Sequence, residues 1–490
     1  MFTLNLNGPH WLYDMDDKKF SNIIVIVTTL TGLVFLIWWI TYNPVSSFAE
    51  HHPGEDNRPE SMVTDNEAVE IGAYFASFNN PPVPPSASWP RFRGKFFDNI
   101  SREDIKLTSS WGENGPPQLW SVELGEGHAG PVIADGRVYL LDYDEQNRRD
   151  MLRCFSFTNG AEIWRRGYDL DIKRNHGMSR TVPAVSGPYV VTIGPKCQVM
   201  CVSADSGRFF WGLDLQRDYG AEVPLWYTGQ CPLIDDGVAV LAVGGSALLI
   251  GVDCRTGTRR WETPNPHDWK MSHSSIIPMT IENTRMYIYC AIGGIVGVSA
   301  EKENTGELLF ESSAWNNSVV APSPVYLGNG KIYLTAGYGA GSMVCRVSKK
   351  KDTFTVEVLQ KLSPDQGLAA EQQTPLYYKD HLFSIMPKDA GALRNEFVCV
   401  HPDDCSRIVW SSGKTKRFGL GPYLMADDKF FILSDEGVLT VIEGSTKEYR
   451  ELTQAKILNG HDAWGPLAIA GGRMLARDSR QMVCVDLRAN

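Results

Sequence analysis

The sequence predicts an all-β fold: an eight-bladed β-propeller of four-stranded antiparallel sheets, preceded by one transmembrane α-helix and a linker. Three observations predict it. A turn-plus-tryptophan segment recurs along the chain, and eight proline-marked strand openings follow one another at near-constant spacing. A strand missing from the last repeat is also found ahead of the first one.

The clearest copy of the repeat is Val252-Asp253-Cys254-Arg255-Thr256-Gly257-Thr258-Arg259-Arg260-Trp261. It reads as strand, tight turn, strand. Asp253 and Thr256 can bond the turn backbone through their side chains, and Gly257 can supply a positive φ. Weaker copies end at Trp164, Trp211, Phe310 and Trp410. A residue that recurs at repeat spacing answers a packing problem shared by every repeat, so these tryptophans are expected between blades.

The openings are Gly130-Pro131, Val182-Pro183, Cys231-Pro232, Ile277-Pro278, Ser323-Pro324, Thr374-Pro375, Gly421-Pro422 and Gly465-Pro466, 44 to 52 residues apart. That spacing suits one four-stranded sheet per repeat. Outer strands are expected at Trp164, Trp211, Trp261, Phe310, Val356 to Val358, Trp410 and Tyr449. The eighth repeat stops at Val483-Cys484-Val485-Asp486-Leu487, and Gln118 to Leu124 supplies its fourth strand. Closing the ring in this way removes two open sheet edges.

Residues 1–20 are expected to form a cytoplasmic tail, 21–42 a transmembrane helix, 43–88 a periplasmic linker and 89–490 the propeller. Ile23 to Ile40 is uncharged, with Trp38, Trp39 and Tyr42 at its far end. Lys18 and Lys19 precede it, and no Lys or Arg follows until Arg58. These features predict a single-pass protein of the bacterial inner membrane, N-terminus cytoplasmic and propeller periplasmic. The rival is a signal peptide cut after Ser47-Phe48-Ala49, far beyond the end of the apolar run. In the linker, the apolar spacing of Asn66 to Phe78 predicts a short helix. Pro81-Pro82-Val83-Pro84-Pro85 is expected to be stiff and extended. That helix resembles the last helix of small c-type cytochromes, although no C-x-x-C-H haem site exists in the chain.

A net charge of -10 and the absence of a basic run argue against nucleic-acid binding. Ten cysteines include no adjacent pair and no C-x-x-C, and most lie in apolar strand-like runs, so buried thiols are expected.

The turn-plus-tryptophan repeat resembles the PQQ-type propeller repeat of quinoprotein alcohol dehydrogenases and of the barrel-assembly lipoprotein BamB. Trp89-Pro90-Arg91-Phe92-Arg93-Gly94 is similar to the W-P-x-F-R-G start of PQQ-like propellers of environmental bacteria. The resemblance spans residues 89–490 and implies a fold more than an activity. It implies PQQ as a cofactor, with a vicinal disulfide, a calcium site and an Asp base. The first is absent here, and the acidic set has no matching positions. The BamB-type lipoprotein carries a Cys just after its signal, whereas the first Cys here is Cys154.

The segments that enter the inner strands converge on one mouth of the channel and are rich in polar and aromatic groups. His128, Arg180, Gln230, His273, Gln373 and Trp464 are the candidate funnel residues, able to cradle an anion or a quinone. The bland alternative is that they bond neighbouring blades. No ligand-spaced His/Cys cluster, phosphate loop or G-x-S-x-G elbow occurs, and His51-His52 falls in the linker. Catalysis therefore has no sequence support, and neither a metal nor a cofactor is expected.

The expected function is a non-catalytic, membrane-anchored scaffold or interaction subunit, with an accessory role in a respiratory or electron-transfer complex and a c-type cytochrome as partner. The alternatives are a PQQ-dependent dehydrogenase and a BamB-like outer-membrane assembly factor.

Overall fold

The computed structural model describes residues 17–42, 69–80, 87–175 and 177–489. The N-terminal tail, most of the linker with His51-His52 and the proline run, and His176 lie outside them, as does the alternative signal-cleavage site. The chain divides into two units, Met1–Asn66 and Glu67–Asn490. In the first, one helix runs Asp17–Thr41. Its stretch Ser21–Thr41 is long and apolar enough to cross a membrane, with its side chains exposed along the whole length.

The second unit is an eight-bladed propeller. Each blade is an antiparallel sheet of four consecutive strands, save that the eighth borrows Gln118–Glu123, which pairs with Gln481–Asp486. The expected closure is therefore the observed one. The hairpins between the first and second strands follow directly from sequence. Asp135-Gly136, Asp236-Gly237, Asn329-Gly330 and Gly471-Gly472 all carry two successive positive φ angles, the type I′ turn that matches strand twist. Two boundaries shift. Pro278 lies inside its inner strand, Ile277–Ile281, so Ser275 rather than Ile277 opens the fourth blade. The seventh outer strand is Glu451–Lys456, just beyond Tyr449.

Blades are joined by the recurring tryptophans. A Cβ placed on Gly160, Gly207, Gly257 or Gly306 would press on Trp120, Trp164, Trp211 or Trp261 of the preceding blade. The indole N–H groups of Trp120, Trp211 and Trp410 donate to the carbonyls of Phe157, Cys254 and Ser445 across the same boundaries. Trp164, Trp211 and Trp410 are buried, whereas Trp261, stacked on Tyr287, is only half-buried. The partner facing each outer-strand aromatic on the third strand is small. Cys154 faces Trp164, Cys201 Trp211, Gly251 Trp261, Gly297 Phe310, Cys399 Trp410 and Cys484 Trp120. A thiol is a compact apolar floor for an indole ring. All ten cysteines are free and buried.

Around the axis, a chain of hydrogen bonds passes from blade to blade. Val182 N–H donates to Cys231 Sγ, Cys231 N–H to Ser275 Oγ, Ser275 N–H to Ser323 Oγ, and Ser323 N–H to Thr374 Oγ1. One end of the channel is closed by residues 89–103. Trp89 pairs with Ile133, Pro90 accepts from Val185 N–H, and Arg91 reaches the Ile234 carbonyl, in blades 1, 2 and 3. Phe97 packs among apolar side chains of blades 3 to 5. The buried Arg93 guanidinium donates to the Thr374 and Pro375 carbonyls of blade 6. Asn99 exchanges bonds with blade 7, and Glu103 accepts from Gly471 N–H of blade 8. Residues 89–103 reach all eight blades on this face. The W-P-R-F-R-G motif is thus the start of a plug.

The helix expected over Asn66 to Phe78 is absent from residues 69–78, and residues 66–68 lie outside the described set. Tyr74–Ser77 is a strand that pairs antiparallel with Glu162–Asp169 as a fifth strand of blade 1. Its apolar side chains satisfy the pattern by packing against a sheet edge, which periodicity over so short a run does not separate from a helix face.

Candidate functional site

The open mouth lies opposite the plug and is built from two sets of loops: those entering the inner strands, and those joining second to third strands. Of the six expected residues, Gln230 is not part of it. Its side chain is fully buried and clamps its own blade, Nε2 donating to the Ala242 carbonyl at 3.0 Å and Oε1 accepting from the Ala242 N–H at 2.6 Å.

The remaining five fall into two groups. His128 and Trp464, from blades 1 and 8, pack with ring centroids 4.8 Å apart and planes tilted by 35°. The Trp464 indole donates to Asp435 Oδ1 at 2.9 Å, and its carbonyl accepts from Gln373 Nε2 at 3.1 Å. Burial raises the Asp435 carboxyl above its ordinary range, against the pull of the Leu420 N–H and the Trp464 indole. On the other side, Arg180 donates to the Asn175 carbonyl at 2.8 Å. Burial lowers Arg180 to about 10, partly offset by the nearby Tyr227 and Tyr338 hydroxyls. His273 is pushed down to about 4 by burial and by the Arg180 charge, so its ring is neutral at pH 7.

Four residues complete this second group. Trp226 stacks on His273 at 6.3 Å and packs against Tyr338 at 5.3 Å, so one ring links blades 3, 4 and 5. The buried Glu371 carboxylate pairs with Lys388 at 3.1 Å, and the Lys388 ammonium lies 5.7 Å over the Tyr338 ring. Trp226, Tyr227 and Tyr338 all hold positive φ, at 64°, 73° and 58°. Left-handed backbone costs a bulky residue roughly 1–2 kcal/mol, so the surrounding contacts must impose it.

Trp226 and Glu371 stood in segments the sequence singled out. Tyr338 and Lys388 did not, because they lie on loops between second and third strands. For Lys388 the signal was the insertion from Met386 to Glu396, long for such a loop in this chain, whereas the short loop that carries Tyr338 gave none.

Chemically, the mouth offers an aromatic face, one half-buried guanidinium and one exposed ammonium. Its polar side chains are largely engaged with backbone or with each other. Among the described residues no group of three or more His, Cys, Asp or Glu is placed to hold a metal ion. The side chains give no basis for a quinone–calcium pair: Cys154 and Cys201 lie under tryptophans, and Glu371 is tied to Lys388.

A family model described as outer membrane protein assembly factor BamB matches residues 148–404, a little over half of the chain. No curated protein sequence matches. Among solved structures, BamB from Moraxella catarrhalis is similar with a TM-score of 0.50 at 12% identity, over 76% of this chain and 99% of that one. The quinohemoprotein alcohol dehydrogenase from Comamonas testosteroni is similar with a TM-score of 0.57 at 11% identity, over 82% of this chain and 81% of that one. The computationally designed Ika8 protein gives 0.50 at 10% identity, over 76% of this chain and all of that one. At such identities the likeness is one of fold, and it includes an enzyme, an assembly factor and a design.

Proposed function

Because this chain belongs to the BamB-type family of PQQ-like propellers, we propose that it is a membrane-anchored, non-catalytic scaffold that binds other proteins of the cell envelope. One observation carries the proposal: the mouth where this fold would hold a reactive ligand is occupied by side chains bonded to the fold itself. Gln373 holds the Trp464 carbonyl, Trp464 holds Asp435, and Lys388 holds Glu371. The apolar stretch Ser21–Thr41 supports retention as an anchor, with its N-terminus in the cytoplasm and the propeller on the far side of an inner membrane. A cytochrome partner is not part of the proposal, since the segment that suggested one is a strand.

The test is a titration of the purified full chain with PQQ and calcium, followed by absorbance and dye reduction with a primary alcohol. No saturable change and no turnover are expected. A saturable signal that disappears in Arg180→Ala would establish the dehydrogenase reading instead.

A further inference from the structure

Seven blades present their fourth strand as the rim of the propeller. Blade 1 does not, and the added strand comes from the stretch of chain between the apolar helix and the plug. We infer that the outer groove between blades 1 and 2 is a strand-binding site, and that residues 69–80 occupy it as a separable clip.

The backbone part is short. Tyr74–Ser77 pairs with residues 164–167, Phe78 N–H donates to the Ile163 carbonyl at 2.8 Å, and Asn80 Nδ2 donates to the Glu162 carbonyl at 2.8 Å. Side chains do the rest, and they come from a set of arginines on the receiving sheet. The Arg149 guanidinium lies 4.4 Å from the Tyr74 ring centroid, Arg166 4.5 Å from Phe75, and Arg165 5.2 Å from Phe78. Arg166 also ties three parts together. It donates from Nε to the Gly207 carbonyl of blade 2 at 2.6 Å and from Nη1 to the Gly72 carbonyl of the clip at 2.5 Å.

The groove is shaped for this occupant by missing side chains. A Cβ on Gly212 of blade 2 would stand 2.7 Å from Ile71, and one on Gly207 would stand 3.1 Å from Phe75. Phe75 and Phe78 nevertheless stay substantially exposed, at 42% and 37%. The clip therefore adds to a blade whose four strands are complete without it. Its binding is a property of the rim, separable from folding of the ring.

The consequence is mechanical. With the clip seated, the first described hold on the propeller after the apolar helix lies within residues 69–80 rather than at Trp89. That consequence rests on the helix acting as an anchor, whereas the clip itself does not.

The test uses the full chain in detergent, with a sequence-specific protease site placed within residues 81–86. After cleavage, the N-terminal fragment and the propeller should co-migrate on size exclusion and part only in denaturant. In the Phe75→Ala/Arg166→Ala double variant they should separate on cleavage. Thermal melting of the propeller, followed in the same samples, distinguishes release from unfolding. Separation of the parent fragments while the propeller still melts cooperatively would overturn the inference. So would continued co-migration of the double variant, which would place the hold elsewhere. Loss of the N-terminal helix from the mature protein would refute the anchor and leave this result unaffected.

Discussion

The Trp211 indole N–H donates to the Cys254 carbonyl of the next blade at 2.9 Å, while its ring packs against Gly257 of the same turn. One residue thus closes a blade boundary with a hydrogen bond and an apolar contact. Gly257 permits both, since its φ is +73° and a Cβ there would lie 2.7 Å from the ring. Trp211→Ala should cost about 3–5 kcal/mol through lost transfer energy and a cavity. Gly257→Val should also destabilise, although it adds apolar volume, because both strain and overlap oppose it. Thermal melts check the pair. Unchanged stability with loss of partner binding in Trp211→Ala would show that the repeat tryptophan is a recognition residue.

Ring closure is best tested at Trp120. Its indole donates to the Phe157 carbonyl at 3.1 Å, joining the borrowed strand of blade 8 to blade 1. Deleting the chain up to Gly127 would also remove the plug, so Trp120→Glu is the cleaner change. It buries a charge at the closing strand, and the expected outcome is a lowered melting temperature with aggregation. A soluble variant of parental stability would contradict closure by Gln118–Glu123.

The plug depends on Arg93. Its guanidinium satisfies two buried carbonyls, those of Thr374 and Pro375. Leaving a buried acceptor without its donor costs roughly 1–3 kcal/mol. Arg93→Met, which keeps volume and removes the donors, should therefore lower stability in a denaturant melt. The mouth at the opposite end should be unaffected.

Two desolvated groups, the buried Asp150 and the half-buried His273, give opposing pH dependences. Burial pushes Asp150 up to about 7, despite hydrogen bonds from the Tyr168 hydroxyl at 2.7 Å and the Ser179 hydroxyl at 3.3 Å. A raised carboxyl contributes stability that is present below its unfolded pKa and lost as pH rises toward 7. His273, lowered to about 4, contributes stability that is present above its unfolded pKa near 6.5 and lost as pH falls. Each slope is at most about 1.4 kcal/mol per pH unit. Between pH 4 and 7 the two oppose each other. Asp150→Asn should make stability climb more steeply with pH across that window. His273→Gln should make it fall more steeply. Denaturant midpoints at pH 4.5, 6 and 7.5 read both slopes.

The ring was legible because each blade repeats one solution. Asp236-Gly237 and Asn329-Gly330 announce their hairpins, and Trp164, Trp211 and Trp410 mark the outer strands. Repetition also explains the cysteines, which register reveals as floors beneath those rings. What the sequence hid was non-local. Nothing near Gln230 indicates that its amide folds back onto Ala242. Arg93 reaches carbonyls 281 and 282 residues away. Tyr74 to Phe78 binds an edge whose arginines lie 75 to 91 residues on, and local periodicity carries no information about such a partner.

The most direct test of a scaffold role is purification of the intact protein from its native membranes in mild detergent, with the mass and composition of the particle then measured. The expected result is a particle heavier than one chain, containing a second protein in fixed stoichiometry and retaining residues 21–41. A chain that elutes alone, lacks its N-terminal helix and reduces dye with an alcohol once PQQ and calcium are added would contradict it.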